Sequence, residues 1–303
     1  MSFDRLIARI VETGNPTVVG LDPKLDYIPE HIKEAAFQEH GNTLRGAAEA
    51  FLAFNKGIID AVCDIVPAVK PQCAYYEMLG YEGMRALYET IQYAKSRGMF
   101  VITDGKRNDI GSTMEAYAVA HLGEISINGA VAEPFGGDAL TVNGYLGTDG
   151  IKPLLGICNA KDKGIFALVK TSNPSSGELQ DREIDGEAVY SIMAGMCEAW
   201  GAESMGQYGY SAVGAVVGAT YPAQLAELRK KAPHTFFLVP GYGAQGGTAA
   251  DVAGAFDEKG LGAIVTSSRA ILTAWKKQNV PGEEYAAAAR NEAIRMRDDI
   301  TQY

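Results

Sequence analysis

Residues 100–113 read Phe100-Val-Ile-Thr-Asp-Gly-Lys-Arg-Asn-Asp-Ile-Gly-Ser-Thr113, an apolar run that ends in charge and then turns polar. Phe100, Val101 and Ile102 favour a buried strand. Asp104, Lys106, Arg107 and Asp109 follow within a few residues. The two-residue period of a strand places Asp104 and Lys106 on one side. Ser112, with Glu115 three residues on, has the spacing of a capping box and predicts a helix over 112–122. The segment is therefore a strand, a charged turn and a helix. Desolvating an ion is costly unless it is paired, so a dense mixed-sign cluster at the end of a buried strand points to a site rather than to stability alone.

Outward from this unit the same alternation repeats. Apolar runs at 17–22, 67–72, 139–142, 165–171, 212–219, 235–239 and 263–266 read as strands, and helical patterns lie at 43–63, 81–97, 147–159, 187–204, 223–231, 249–259 and 268–277. Pro222 sits where a helix tolerates it, at the first position. A helix over 2–12 precedes the first strand, a polar loop with one short helix follows it, and an extra helix over 283–298 ends the chain. The strands are nearly continuous apolar runs, as parallel strands buried on both faces must be. Eight such units in a chain of roughly 250–300 residues predict an α/β fold of the (β/α)8 TIM barrel type. A doubly wound open sheet is the alternative. No linker rich in Pro, Gly or Ser divides the chain, so residues 1–303 are expected to form a single barrel domain with the N-terminal helix and the extra C-terminal helix.

The 303 residues are 47% apolar and 21% charged, the profile of a globular protein. Lys and Arg number 27 against 37 Asp and Glu, a net charge of −10 with no basic tail. This argues against nucleic acid and against an anionic membrane surface. No window approaches about 18 uninterrupted apolar residues, and the opening Met-Ser-Phe-Asp-Arg-Leu lacks the apolar core of a signal peptide. Cys63, Cys73, Cys158 and Cys197 form no C-x-x-C pair and read as reduced thiols of a cytoplasmic protein. His31, His40, His121 and His234 are scattered, so no metal site is expected. His121, near a helix end, reads as a cation favouring the helix dipole. Tyr75-Tyr76 reads as core or subunit contact.

Active-site groups of such barrels lie at the C-terminal ends of the strands. Strand 1 ends at Asp22, strand 2 at Lys70, and strand 3 at Asp104 and Lys106 with Asp109 just beyond. Strand 5 ends at Thr171-Ser172-Asn173, strand 7 runs into Pro240-Gly-Tyr-Gly-Ala-Gln-Gly-Gly247, and strand 8 into Ser267-Ser268-Arg269. Singly, each has a plain reading: an Asp after a strand caps or turns, and glycines serve tight turns. So many charged groups converging on one mouth point instead to chemistry. The loops after strands 7 and 8 form the recurring phosphate site of these barrels. There the N–H groups of Gly246 and Gly247, with Gln245 and Arg269, would cradle a phosphate. Ser172 has no histidine in any evident arrangement, so it reads as a hydrogen-bonding group rather than a nucleophile. Loops 172–186 and 241–248 are candidate lids.

The segment Asp104-Gly-Lys106-Arg-Asn-Asp109-Ile110 resembles the D-x-K-x-x-D-I motif of the orotidine 5′-phosphate decarboxylase family. Val69-Lys-Pro-Gln-Cys-Ala-Tyr-Tyr-Glu77 is similar to the longer bacterial (type 2) branch of that family. Gly20-Leu-Asp22-Pro, Thr171-Ser172-Asn-Pro, Pro240 to Gly247 and Ser267-Ser-Arg269 also resemble its elements, in order from strand 1 to strand 8. The resemblance implies a ribulose-phosphate-binding barrel, a homodimer with shared active sites, and a cofactor-free conversion of orotidine 5′-phosphate to UMP and CO2 in de novo pyrimidine biosynthesis. It further implies that Lys70, Asp104, Lys106 and Asp109 form an alternating charged tetrad, with Asp109 reaching the partner's site and Ile110 and Thr113 accompanying it. Lys106 would protonate C6, Asp22 and Lys70 would hold ribose hydroxyls, and Ser172 the pyrimidine. Pro240, Gln245 and Arg269 would line the base and phosphate ends. Gly105, Tyr242 and Ser268 depart from the residues common in shorter members, and Arg107 reads as a bystander in a surface or interface ion pair.

The chemistry agrees. Loss of CO2 from C6 leaves an electron pair in the ring plane, outside the π system, so no ordinary electron sink serves. Stabilisation must then be electrostatic and preorganised, and an ammonium between carboxylates stays charged for that task. Two rivals remain. One is a magnesium-dependent keto-sugar-phosphate decarboxylase or hexulose-phosphate synthase, expected to carry a metal-binding carboxylate where this chain has Lys70. The other is a non-catalytic phosphate-ligand-binding barrel.

Overall fold

The computed structural model describes residues 2–243 and 246–302. The apolar runs form eight parallel strands: β1 Thr17–Leu21, β2 Ala68–Pro71, β3 Phe100–Arg107, β4 Ala139–Val142, β5 Gly164–Lys170, β6 Val213–Val217, β7 Phe237–Val239 and β8 Ala263–Ser267. Each pairs with its neighbour in the chain, and β8 returns to β1 with Thr17 opposite Val265. The ring is closed, so the fold is the (β/α)8 TIM barrel and the open-sheet alternative falls. Alternation along the strands splits their side chains between two apolar clusters. Val19, Val69, Val101, Leu140 and Val265 pack outward against the helices. Val18, Phe100, Ile102, Phe166, Leu238 and Ile264 fill the barrel.

The N-terminal helix, Ser2–Thr13, closes the barrel floor. Phe3, Leu6, Ile7 and Ile10 recur at helical spacing on one face and are all buried. The Phe3 ring lies 4.8 Å from that of Phe166 and 5.5 Å from that of Phe236. Burial of each such side chain contributes roughly 2 kcal/mol. Polar ties fix the helix: Arg5 Nη2 donates to Asp138 Oδ1 at 2.6 Å, and Asp4 accepts from the amides of Gln207 and Tyr208. With the floor sealed, the opposite rim is the open mouth. The extra C-terminal helix, Tyr285–Ile300, packs Ala289, Ala293, Met296 and Ile300 into the outer cluster and stacks Tyr285 on Phe54 at 5.1 Å.

Several expectations need correction. Ser112 does not cap its helix, which runs Gly111–Leu122 from an uncapped Ile110. The helix starts one residue before Ser112, which therefore lies inside its first turn, and Asp109 Oδ1 accepts from the Ile110 amide at 2.8 Å just ahead of it. The helix expected over 249–259 stops at Ala253. Gly254 caps it, and Asp257 turns the chain by accepting from the amides of Lys259 and Leu261 at 2.8 Å each. The segment after β8 is two short helices, Arg269–Leu272 and Ala274–Lys277, broken at Thr273. The polar loop after β1 holds a longer helix than expected, Glu30–His40.

A hairpin, Ile125–Ile127 with Ala130–Ala132, occupies a stretch that carried no expected element. It turns at Asn128-Gly129, both with positive φ, a pairing suited to tight hairpins. Its apolar side chains face solvent, Ile127 being 59% and Val131 65% exposed.

His121 is not a helix-end cation. It is buried with its ring stacked on Phe135 at 5.3 Å. Burial, reinforced by the nearby Arg107 charge, pushes its pKa from 6.5 down to about 4. The unfolded chain therefore takes up the proton first as pH falls, and stability is lost from about 6.5 down to about 4, where the loss levels off. His121→Phe should flatten this fall in thermal melts across that range, whereas wild type should lose up to about 3 kcal/mol. An unchanged pH dependence in the variant would contradict this assignment.

Candidate active site

The Asp104 carboxylate, buried near the end of β3, accepts from four donors. Lys70 Nζ and Gln72 Nε2 (3.0 Å) reach Oδ2, and Lys106 Nζ (2.6 Å) and Thr141 Oγ1 (2.9 Å) reach Oδ1. Register explains the convergence. β2 pairs with β3 through Ala68 opposite Phe100 and Val69 opposite Val101, and a further bridge joins Gln72 to Asp104. Lys70 and Gln72, two residues apart, thus present their side chains to one neighbour.

Lys106 reaches this group through an irregular backbone. Its φ is +48°, a left-handed conformation that side-chain-bearing residues rarely adopt. The β3–β4 pairing slips here, from Thr103 opposite Leu140 to Arg107 opposite Val142, so that four steps along β3 span two along β4. Such bulges re-aim side chains at functional sites. The Lys106 amide is held by Thr141 Oγ1 at 3.0 Å, so one hydroxyl fixes both the bulge and the carboxylate. A strained residue of this kind costs about 1–3 kcal/mol and persists only where its surroundings determine it.

The electrostatics close on themselves. Burial alone would raise the Asp104 carboxyl, but the Lys70 and Lys106 ammonium groups overcome it and hold the acid well below the usual carboxylate range. Burial pulls Lys70 down, yet Asp104 and Asp22 outweigh it and raise its pKa above 10.5. The Asp104 contribution to stability is thus present above the ordinary carboxylate range and lost only in strong acid. That of Lys70 is present below 10.5 and lost only as pH rises through its raised value. The pair stays ionised across neutral pH.

A cavity of about 810 Å³ opens above this group, lined by Asp22, Lys70, Asp104, Lys106, Ser172, Pro240 and Arg269 among the residues expected from sequence. Asp22 Oδ1 is buried at its edge with no hydrogen-bond partner among the described residues, as is Thr266 Oγ1. Gly20 brings the two sides together: a Cβ there would fall 1.8 Å from Ser268 Oγ. Asp109, Ile110 and Thr113 do not line this cavity. They lie past the end of β3, Ile110 and Thr113 on the surface. Gln245 lies outside the described residues. Arg107 is ion-paired with Glu77 and donates to Gly105 O, in keeping with the expected ion pair.

The rim expected to hold phosphate, after β7 and β8, differs from expectation. The amides of Gly246 and Gly247 donate within their own loop, to Gly243 O at 3.0 Å and Gly241 O at 3.2 Å, so neither stands open to an anion. Arg269, just past β8, lines the cavity. The loop is fastened from outside. Tyr242 is buried and its hydroxyl donates to Asp299 of the C-terminal helix, while burial and that bond push its pKa up to about 12. Tyr76 is core, hydrogen-bonded to Asn55, whereas Tyr75 lines the mouth.

Thr141, Gln72 and Gln180 were not singled out by sequence. Gln72 shares the two-residue spacing from Lys70 that marks Asp104 and Lys106, and that spacing was a usable signal. Thr141 is a lone hydroxyl in an apolar strand and carries no such mark. Among the described residues, no three or more His, Cys, Asp and Glu side chains gather as metal ligands.

Comparison with known proteins accords with this geometry. A family model described as the orotidine 5′-phosphate decarboxylase / HUMPS family matches residues 44–281. A protein of Rhodopirellula baltica named orotidine 5′-phosphate decarboxylase is 48% identical over 300 residues, covering 98% of this chain and 97% of its own. One of Clostridium tetani with the same name is 43% identical over 303 residues, covering 100% and 98%. The structure of Leishmania donovani OMP decarboxylase is similar with a TM-score of 0.76 at 29% identity, covering 99% of this chain and 97% of that one. A full-length match of this kind, on a closed barrel with its charges gathered at one rim, places the sequence: the chain belongs to the orotidine 5′-phosphate decarboxylase / HUMPS family.

Proposed function

We propose that Lys106 is the proton donor to C6 of a bound orotidine 5′-phosphate, held in place by Asp104 and Lys70. The protein is a carboxy-lyase of UMP biosynthesis, converting orotidine 5′-phosphate to UMP and CO2. The observation that carries the assignment of Lys106 is its ammonium, 2.6 Å from a carboxylate whose other oxygen is already occupied by Lys70. When the C6–carboxylate bond breaks, the electron pair remains on C6 and CO2 leaves. A proton passes from Lys106 Nζ to C6, and the amine regains one from solvent. Because the ammonium is positioned beforehand, little reorganisation is needed as charge develops.

The remaining lining residues divide by chemistry. Asp22, with an unpartnered buried oxygen, accepts from a ribose hydroxyl and Lys70 donates to one. Ser172 hydrogen-bonds the pyrimidine. Pro240 and Arg269 line the base and phosphate ends, with Gln245 assigned there by family resemblance. No cofactor or metal is required by this scheme, and Lys70 at the end of β2 repels a divalent cation where the magnesium-dependent rival needs a carboxylate.

The assembly we propose is a homodimer with shared active sites. Asp109, Ile110 and Thr113 stand outside their own cavity, and the exposed Ile110 and the apolar hairpin Ile125–Ile127/Ala130–Ala132 flank the same helix. Each subunit would then lend Asp109 to its neighbour. No helix among the described residues is long and apolar enough to cross a membrane, which accords with the cytoplasmic location we assign.

Mixing purified protein with orotidine 5′-phosphate should lower the substrate's absorbance, and EDTA should leave the rate unchanged. Lys106→Ala should reduce kcat by about 10²–10³-fold or more, 10²–10³ being the scale for loss of one preorganised electrostatic group. A wild type without turnover would sink the assignment, and a rate restored only by magnesium would favour the rival. For the shared site, Lys106→Ala and Asp109→Ala should each be nearly inactive alone. An equimolar mixture should recover about a quarter of wild-type activity, because half of the exchanged dimers carry one intact site. No recovery, with subunit exchange verified, would contradict sharing.

A further inference from the structure

We infer that Lys170, which does not line the cavity, is a positioning residue for the base end of the substrate. It is the last residue of β5, and its ammonium is completely enclosed. Three elements build the enclosure. Asp181 of the following loop ion-pairs with Lys170 Nζ at 2.5 Å, and Ser176 Oγ lies 3.4 Å away. Tyr221, at the start of the helix Pro222–Lys231, places its ring centroid 4.4 Å from the ammonium. Tyr190, in the helix Val189–Gly201, lies at 5.5 Å on another side. Two aromatic faces and one carboxylate form a cage for a cation.

The cage fastens the loop expected to be a lid. An ammonium out of water is costly unless paired, whereas the Asp181 side chain is 42% exposed and readily solvated. Lifting the loop would therefore strand Lys170 while relieving Asp181, so the charge holds the loop down at its root. Beside this ion pair, Gln180 clasps Thr171 twice. The Thr171 amide donates to Gln180 Oε1 at 2.9 Å, and Gln180 Nε2 donates to Thr171 Oγ1 at 2.7 Å. On the barrel side, the Gly218 amide donates to Lys170 O at 2.7 Å, and a Cβ on Gly218 would come within 3.0 Å of Ser172. Ser172 is thus pressed against the end of β6 and, with Gln180, lines the mouth. The side chain behind the wall sets where the wall's polar groups stand.

This inference rests on the reading that the 172–180 segment meets the pyrimidine, and two ligands separate the two claims. UMP carries base, ribose and phosphate, whereas ribose 5-phosphate lacks the base. Calorimetric titration of wild type, Lys170→Met, Asp181→Asn and Ser172→Ala with each ligand is the experiment. Lys170→Met keeps the side-chain stem and returns Asp181 to water, and Asp181→Asn provides the second variant should the first not fold. Both should bind UMP about tenfold more weakly, the scale of a lost charge-assisted contact, and bind ribose 5-phosphate as wild type does. Trypsin should also cleave after the exposed Arg182 faster in both. Equal weakening of both ligands, or no change in UMP affinity and cleavage, overturns the role of Lys170. Should Ser172→Ala bind UMP normally while Lys170→Met loses it selectively, the Ser172 contact falls and the positioning role of Lys170 is supported.

Discussion

A buried carboxylate shared by two ammonium groups is the constraint on which this molecule depends. Asp104 could not stay ionised at its depth without Lys70 and Lys106, and neither lysine would keep its place beside the other without Asp104. The arrangement demands three strands in register: Lys70 comes from β2 with Gln72 just past its end, Asp104 and Lys106 from β3, and Thr141 from β4. Closing the barrel therefore also assembles the charges. The left-handed backbone at Lys106 is the local cost, and the Thr141 hydroxyl holds it. A sealed apolar floor beneath, stoppered by Phe3, keeps water from the other end and preserves the low polarity in which such a pair acts strongly.

The two ends of the mouth are braced separately and from behind. On the β5 side Lys170 anchors its loop through Asp181, and on the β7 side Tyr242 is tied to Asp299. Neither buried anchor carries its charge or hydroxyl into the reaction. The C-terminal helix, an unexplained addition to the barrel when only the sequence is considered, thereby gains a function: it supports the loop after β7. Lys70, Asp104 and Lys106 themselves stand on strands, as preorganised electrostatic catalysis requires.

Much of this was legible because parallel barrel strands are continuous apolar runs that end in charge. Asp22, Lys70, Asp104, Lys106 and Arg269 each terminate such a run, and all reach one cavity. What escaped was determined by partners distant in the chain. The bulge that turns Lys106 exists only because β3 and β4 slip against each other, and Thr141 gains its meaning only from that slip. The buried, neutral His121 depends on stacking against Phe135 and on the nearby Arg107 charge, which a helix-end position does not reveal. Ser112 had the spacing of a cap, yet the helix begins ahead of it, a local start that spacing does not decide. The amides of Gly246 and Gly247 looked available from the glycines alone, yet the loop consumes them internally.

The central claim is that Lys106 exchanges a proton with C6 of the pyrimidine. By microscopic reversibility the same group must remove the C6 proton from bound UMP. Wild-type protein incubated with UMP in deuterium oxide should replace the C6 hydrogen with deuterium, followed by proton NMR, while Lys106→Ala, shown to bind UMP, should not. Exchange at the wild-type rate in the Lys106→Ala variant would contradict the account.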